Sequence, residues 1–286
     1  MPRLWRNIWE LLEMIKIGHS ILALPFAFMG AMLAARGLPD GRTSFYILLA
    51  MVGARSAAMA FNRLADARLD ARNPRTADRA LPAGRVSRRS TFLLTAVSAA
   101  VFMGAAAQLN QICFLLSPLA LLVILGYSLT KRFTSLTHLV LGLSLGLAPL
   151  GGWLAVRGDL GVTILILALA VLLWVAGFDV LYSLQDEDFD RRTGLYSLPA
   201  RRGAAPARRL AAIFHLTAAA LFGLTGILAR LGAIFLGVVL LSALLMLAQH
   251  LRLSRQEPLR LPPAFFTLNG LVGLGLALAT WAALAL

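Results

Sequence analysis

Two charged connectors interrupt an otherwise apolar chain, and their chemistry repeats. The first, "FNRLADARLDARNPRTADRALPAG" (Phe61 to Gly84), sets Asn62, Asp66 and Asp70 four residues apart. The second, "YSLQDEDFDRRTGLYSLPAR" (Tyr182 to Arg201), sets Tyr182, Asp186 and Asp190 at the same spacing. Downstream, Arg75-Thr76-x4-Leu81-Pro82 is matched by Arg192-Thr193-x4-Leu198-Pro199. On a helix turning about 100° per residue, positions i, i+4 and i+8 fall within about 80° of one another. Each connector is therefore expected to begin as a helix end presenting a column of oxygen ligands. Asp179, one turn before Tyr182, extends the second column.

Four converging carboxylates, Asp66, Asp70, Asp186 and Asp190, would repel one another unless a cation lay among them. Hard oxygen donors of this kind suit Mg²⁺, which takes carboxylates together with waters and phosphate oxygens. Arg63, Arg75, Arg79, Arg192 and Lys131 stand beside them and suit a phosphate partner. Acid, metal and base together describe a diphosphate site. A charged connector at a membrane end is ordinarily a solvated cap. Two copies with matched spacing argue for a site instead.

The elements that must hold these residues are membrane spans. The chain has 286 residues and a mean hydropathy of +0.78, with 14% charged residues, against roughly 25% in soluble domains. Apolar runs of about 20 residues recur, each long enough to cross a hydrocarbon core of about 30 Å. Spans are expected at 14–35, 44–65, 90–109, 111–130, 135–156, 161–181, 206–229, 231–251 and 263–284, preceded by a basic, Trp-bearing interfacial helix. The expected fold is all-α: one polytopic membrane domain over 1–286, with nine transmembrane helices. The matched connectors are separated by four spans, which preserves orientation. This predicts a parallel internal repeat, about 14–130 and 135–251, followed by a ninth helix at 263–284. The net charge of +14 would suit nucleic acid, but the basic residues lie in short connectors between apolar spans, so no nucleic-acid partner is expected. Most Lys and Arg fall at the amino terminus and after spans 2, 4, 6 and 8, which predicts that this face is cytoplasmic.

Polar residues inside spans are expensive and mark sites. Arg55 shares a helix face with Asn62 and could meet an aromatic carboxylate or pair with Asp179. Asn269 could line a cavity or bond between helices. Cys113 stands alone in an apolar run and reads as packing. His19, His138, His215 and His250 show no metal-binding spacing and read as packing or interfacial groups.

With these motifs and "YSLTKRFTSLTHLVLGLSLGLAPLGG" (Tyr127 to Gly152), the chain resembles the UbiA superfamily of intramembrane prenyltransferases from about Lys16 to Trp281. It looks most like the bacterial 4-hydroxybenzoate polyprenyltransferases and their relatives in the futalosine route to menaquinone. The resemblance implies nine helices around a central cavity under cytoplasmic caps, in the bacterial inner membrane. It also implies Mg²⁺-dependent transfer of a polyprenyl group from its diphosphate to a small aromatic acceptor in ubiquinone or menaquinone synthesis. Carried over by position, Asn62, Asp66 and Asp70 match the first metal motif, and Asp186 and Asp190 the second. Tyr127 and Lys131 match a Y-x3-K element near the diphosphate, and Arg55 and Asn269 match an Arg and an Asn of the family. The usual first motif begins Asn-Asp; here it begins Asn62-Arg63, placing an extra cation within reach of the diphosphate. The acceptor is expected to be 4-hydroxybenzoate-like, with 1,4-dihydroxy-6-naphthoate as the alternative. A secondary transporter could also show repeated halves, but its polar groups belong near the membrane midplane, whereas these acids cluster at one end.

Overall fold

A computed structural model describes residues 10–11, 13–14, 23–253 and 264–286. Among them every regular element is helical. The helices are α1 (Leu24–Ala35), α2 (Gly41–Asp70), α3 (Arg88–Leu109), α4 (Gln111–Thr130), α5 (Thr137–Arg157) and α6 (Val162–Ser183). A 3₁₀ turn (Leu184–Asp186) follows, then α7 (Glu187–Arg192), α8 (Leu198–Arg202), α9 (Ala204–Ala229), α10 (Gly232–Leu253) and α11 (Ala264–Ala285). Among the described residues, eight helices are long and apolar enough to cross a membrane, and α1 is a shorter apolar helix. The chain is thus an all-helical integral membrane protein, as expected. The interfacial helix and the first part of the span expected at 14–35 lie largely outside the described residues.

Helix ends fall where the chain supplies a substitute for the missing turn. Asp40 caps α2 by accepting from the Thr43 N–H at 3.0 Å. Asn110 separates α3 from α4: its Oδ1 accepts from the Cys113 N–H at 2.9 Å, and its Nδ2 donates to the Leu154 carbonyl at 2.7 Å. One residue therefore ends one span, starts the next and ties the junction to α5.

The centre of the bundle is α6. Leu167, Val171, Trp174 and Val175 are fully buried, with α5 on one side and α9 on the other. Lipid is as apolar as leucine, so association within the membrane depends on close packing rather than on water exclusion. Small residues permit that approach on α5. A Cβ at Gly142 would overlap the Leu172 carbonyl, and one at Gly152 would overlap the Ala27 carbonyl. The tight contacts of α5 with α6 and α1 place the start of α5 beside the end of α6, where the charged residues lie.

Candidate functional site

The first connector grows out of an unbroken helix. α2 runs 30 residues to Asp70, so Asn62, Asp66 and Asp70 do share one face, and the Asn62 amide donates to Asp66 Oδ2 at 3.2 Å. Asp66 and Asp70 are buried. Asp66 accepts from Arg132 at 3.0 Å. Asp70 receives one guanidinium nitrogen of Arg79 between its two oxygens, at 2.8 and 2.9 Å. Buried Arg63 stands 4.0 Å from Asp70, so the residue that departs from the family motif faces the acids rather than lipid.

The second connector is built differently. α6 stops at Ser183 and gives way to the 3₁₀ turn over Leu184–Asp186 before α7 begins. This corrects the expected helical column: the 100° step does not continue from Tyr182 to Asp190. Asp186 is instead fixed from the other connector. Arg75 donates to both its oxygens through Nε and Nη2, and Asn73 Nδ2 donates to it at 3.1 Å. Arg75 Nη1 also donates to the Tyr182 hydroxyl at 3.0 Å. Burial pulls the Arg75 guanidinium down, but the hydrogen bond and charge of Asp186, with Tyr182, outweigh it and hold the group above the ordinary arginine range. The two connectors therefore meet at one end of the bundle, and Arg75 joins them.

Lys131 stands between the two halves, within electrostatic reach of both Asp66 and Asp190. Tyr127, one turn earlier on α4, is in similar reach of Arg55, Arg63, Asp66 and Asp179. The four carboxylates do not, however, gather into one cluster. Among the described residues no three acidic, imidazole or thiol groups lie close enough to hold a metal unaided. Asp66, Asp70 and Asp186 are instead each paired with a different arginine, Arg132, Arg79 and Arg75. Such a set still fits Mg²⁺, which is ordinarily held by one or two carboxylates with phosphate oxygens and waters completing its shell.

Below this end lies an apolar cavity of about 450 Å³ between α1, α2, α4 and α5. Arg55 and Tyr127 stand among linings such as Ala54, Ala58, Leu141 and Ala148. Arg55 Nε is buried without a hydrogen-bond partner. Of the two roles open to Arg55, the pairing with Asp179 is not formed; Asp179 meets His138 Nδ1 at 2.7 Å instead. Asn269 is fully buried, bonds the Phe265 carbonyl of its own helix at 2.9 Å and is not among the cavity linings. Arg192, the counterpart of Arg75 by spacing, is exposed at the end of α7 and forms no ion pair among the described residues.

Three participants escape the sequence reading. Asn73 carries a weak signal as the Asn of an Asn-Pro turn within the first connector. Arg132 adjoins Lys131, the residue that the Y-x3-K spacing singles out, and only the fold turns Arg132 onto Asp66. His138 was set aside for lacking metal spacing, yet it meets Asp179 from a different helix.

Fold and site together define a membrane-embedded helical bundle whose acidic and basic groups converge at one end above an apolar cavity. The UbiA prenyltransferase family model matches residues 23–271, and the chain belongs to that family. It is 30% identical over 282 residues to the 4-hydroxybenzoate octaprenyltransferase of Vibrio cholerae serotype O1, covering 96% of this chain and 98% of that protein. The enzyme of the same name from Yersinia enterocolitica is 30% identical, covering 96% and 94%. Among solved structures, a UbiA homolog from Aeropyrum pernix K1 in its apo form superposes with a TM-score of 0.82 at 38% identity, over 94% of this chain and 98% of that one. A UbiA homolog from Archaeoglobus fulgidus, solved bound to GPP and Mg²⁺, shares the fold, with a TM-score of 0.77 at 19% identity over 97% and 100% of the chains.

Proposed function

We propose that this protein transfers a polyprenyl group from polyprenyl diphosphate to the ring of a small aromatic acceptor in quinone synthesis. The observation that carries this reading is the junction made by Arg75. It joins the two acidic motifs at the end of the bundle, with Lys131 between them and an apolar cavity below. Relatives that act on 4-hydroxybenzoate support that acceptor. Asn62, Asp66 and Asp70 of the first motif, and Asp186 and Asp190 of the second, would hold Mg²⁺ together with diphosphate oxygens and waters, and the metal would neutralise charge on the diphosphate. Arg63, Arg75, Arg79 and Lys131 would meet diphosphate oxygens directly, so the arginines that pair the acids would be shared with the substrate. Preorganised positive charge aimed at the departing oxygen favours cleavage of the allylic C–O bond. The electron pair leaves with diphosphate, the ring attacks the allylic carbon to form a C–C bond, and a ring proton is lost. The apolar cavity excludes water from that carbon, and Arg55, whose buried Nε has no hydrogen-bond partner, suits an acceptor carboxylate.

The reading places the charged end and the amino terminus on the cytoplasmic side of a bacterial inner membrane. It takes the matched connectors as halves of an internal repeat. Membranes carrying the protein, given Mg²⁺ and a polyprenyl diphosphate, should prenylate radiolabelled 4-hydroxybenzoate. Product with 1,4-dihydroxy-6-naphthoate alone would reassign the acceptor, and product with neither would overturn the reading.

A further inference from the structure

His138 is the second residue of α5 and is buried, with 4% of its surface exposed. Both ring nitrogens are engaged, each by a different element. Nδ1 faces Asp179 Oδ2 on α6 at 2.7 Å, and Nε2 lies 3.2 Å from the main-chain nitrogen of Leu198. Leu198 is the first residue of α8, so its N–H is one of the donors a helix start leaves without an intrahelical partner. An N–H can only donate, so Nε2 is the acceptor and carries no proton. The single proton of the neutral ring is then on Nδ1, donated to the Asp179 carboxylate. The tautomer follows from these two neighbours.

We infer that His138 is a positioning residue whose imidazole clasps the second connector's cap, residues 195–203, to α5 and α6 beside the charged site. A second main-chain tie runs parallel to it: the Tyr196 N–H donates to the Lys131 carbonyl at 2.7 Å. Two residues apart, these bonds stitch the cap to the Lys131 turn and to the start of α5. Lys131 is the cation between Asp66 and Asp190, and His138 itself lies in electrostatic reach of Asp190. Releasing the clasp therefore loosens residues 191–196, which run from Asp190 to the Tyr196 bond with Lys131. The ring has no nitrogen left for substrate, so it acts through the cap. A histidine that merely filled the core would have no reason to accept from the main chain of a different connector 60 residues away.

One substitution removes the bond without touching the histidine. Leu198→Pro deletes the donated N–H, and proline is well suited to the first position of a helix. Ser197, at φ −63° and ψ 153°, already has the backbone that a residue before proline adopts. Leu198→Ala loses the side chain but keeps the N–H, so comparing the two isolates the hydrogen bond. Hydrogen exchange on the full chain in lipid nanodiscs should show cap amides opening up to about tenfold faster in Leu198→Pro than in Leu198→Ala. His138→Leu should match Leu198→Pro. His138→Gln, whose carboxamide keeps one donor and one acceptor, should recover most of the protection. KM for polyprenyl diphosphate should rise several-fold with the exchange, kcat moving less. Equal exchange in the two Leu198 variants, or unchanged exchange in His138→Leu, would overturn the clasp. If either His138 or Leu198 variants fail to fold, the other pair decides the question. The kinetic consequence rests on the function proposed above, but exchange is read without turnover, so a failure of one does not disguise a failure of the other.

Discussion

The two acidic motifs have matching spacing and different construction. The first stands on a continuous helix and is supported in part from its own side, by Arg79 at Asp70 and Asn62 at Asp66, with Arg132 reaching Asp66 from the end of α4. The second straddles a helix break and is supported from outside: Arg75 and Asn73 of the first connector hold Asp186, and Arg75 holds Tyr182. The first connector thus serves both motifs. The second contributes the cap that His138 retains, while its own arginine at the matching position, Arg192, stays in solvent. The two motifs thus divide the work unequally: Arg75 reaches across to Asp186, and Arg192 meets no acid among the described residues.

That comparison can be tested at descending scale. Asp66→Ala and Asp186→Ala should each lower prenyl transfer by about a hundredfold or more at saturating Mg²⁺, since each removes a carboxylate from the charge around diphosphate. A hundredfold loss in one and none in the other would reduce the site to a single motif. Arg75→Gln should cost about tenfold to a hundredfold in kcat/KM for the prenyl diphosphate, the loss of charge-assisted bonds at the junction. Asn73→Ala, which keeps the Arg75 side chain but removes one neutral donor from Asp186 and the acceptor of the Arg75 N–H, should cost about twofold to tenfold in the same assay. Arg192→Gln should stay within about threefold of the wild type, as an exposed cation usually does. Equal losses for Arg75→Gln and Arg192→Gln would restore the symmetry that spacing suggests and break the asymmetry that the structure displays.

Much of this was legible in the residues. Runs of apolar residues located the spans, because a hydrocarbon core imposes a length on any helix that crosses it. The i, i+4, i+8 spacing located both acidic motifs, and it predicted the face of α2 correctly because that helix is unbroken. The same arithmetic failed beyond Ser183, where a 3₁₀ turn changes the angle per residue. Arg55 was recognisable as a costly charge within a span, but its pairing with Asp179 was not realised. The competitor, His138, lies on another helix, and no local pattern announces a contact between residues 41 positions apart.

The sequence by itself determined that this is a polytopic helical membrane protein with a duplicated acid-and-base motif, since those properties depend on composition, length and period within single segments. Only the tertiary structure decided which partner each charge takes. Arg75 rather than Arg192 bridges the motifs, Arg132 meets Asp66, and His138 joins Asp179 to the cap. The physical reason is one of range. Helix period and hydropathy act along the chain, whereas a hydrogen bond or ion pair depends on a few ångströms of separation between helices, set by how closely α5, α6 and their neighbours pack.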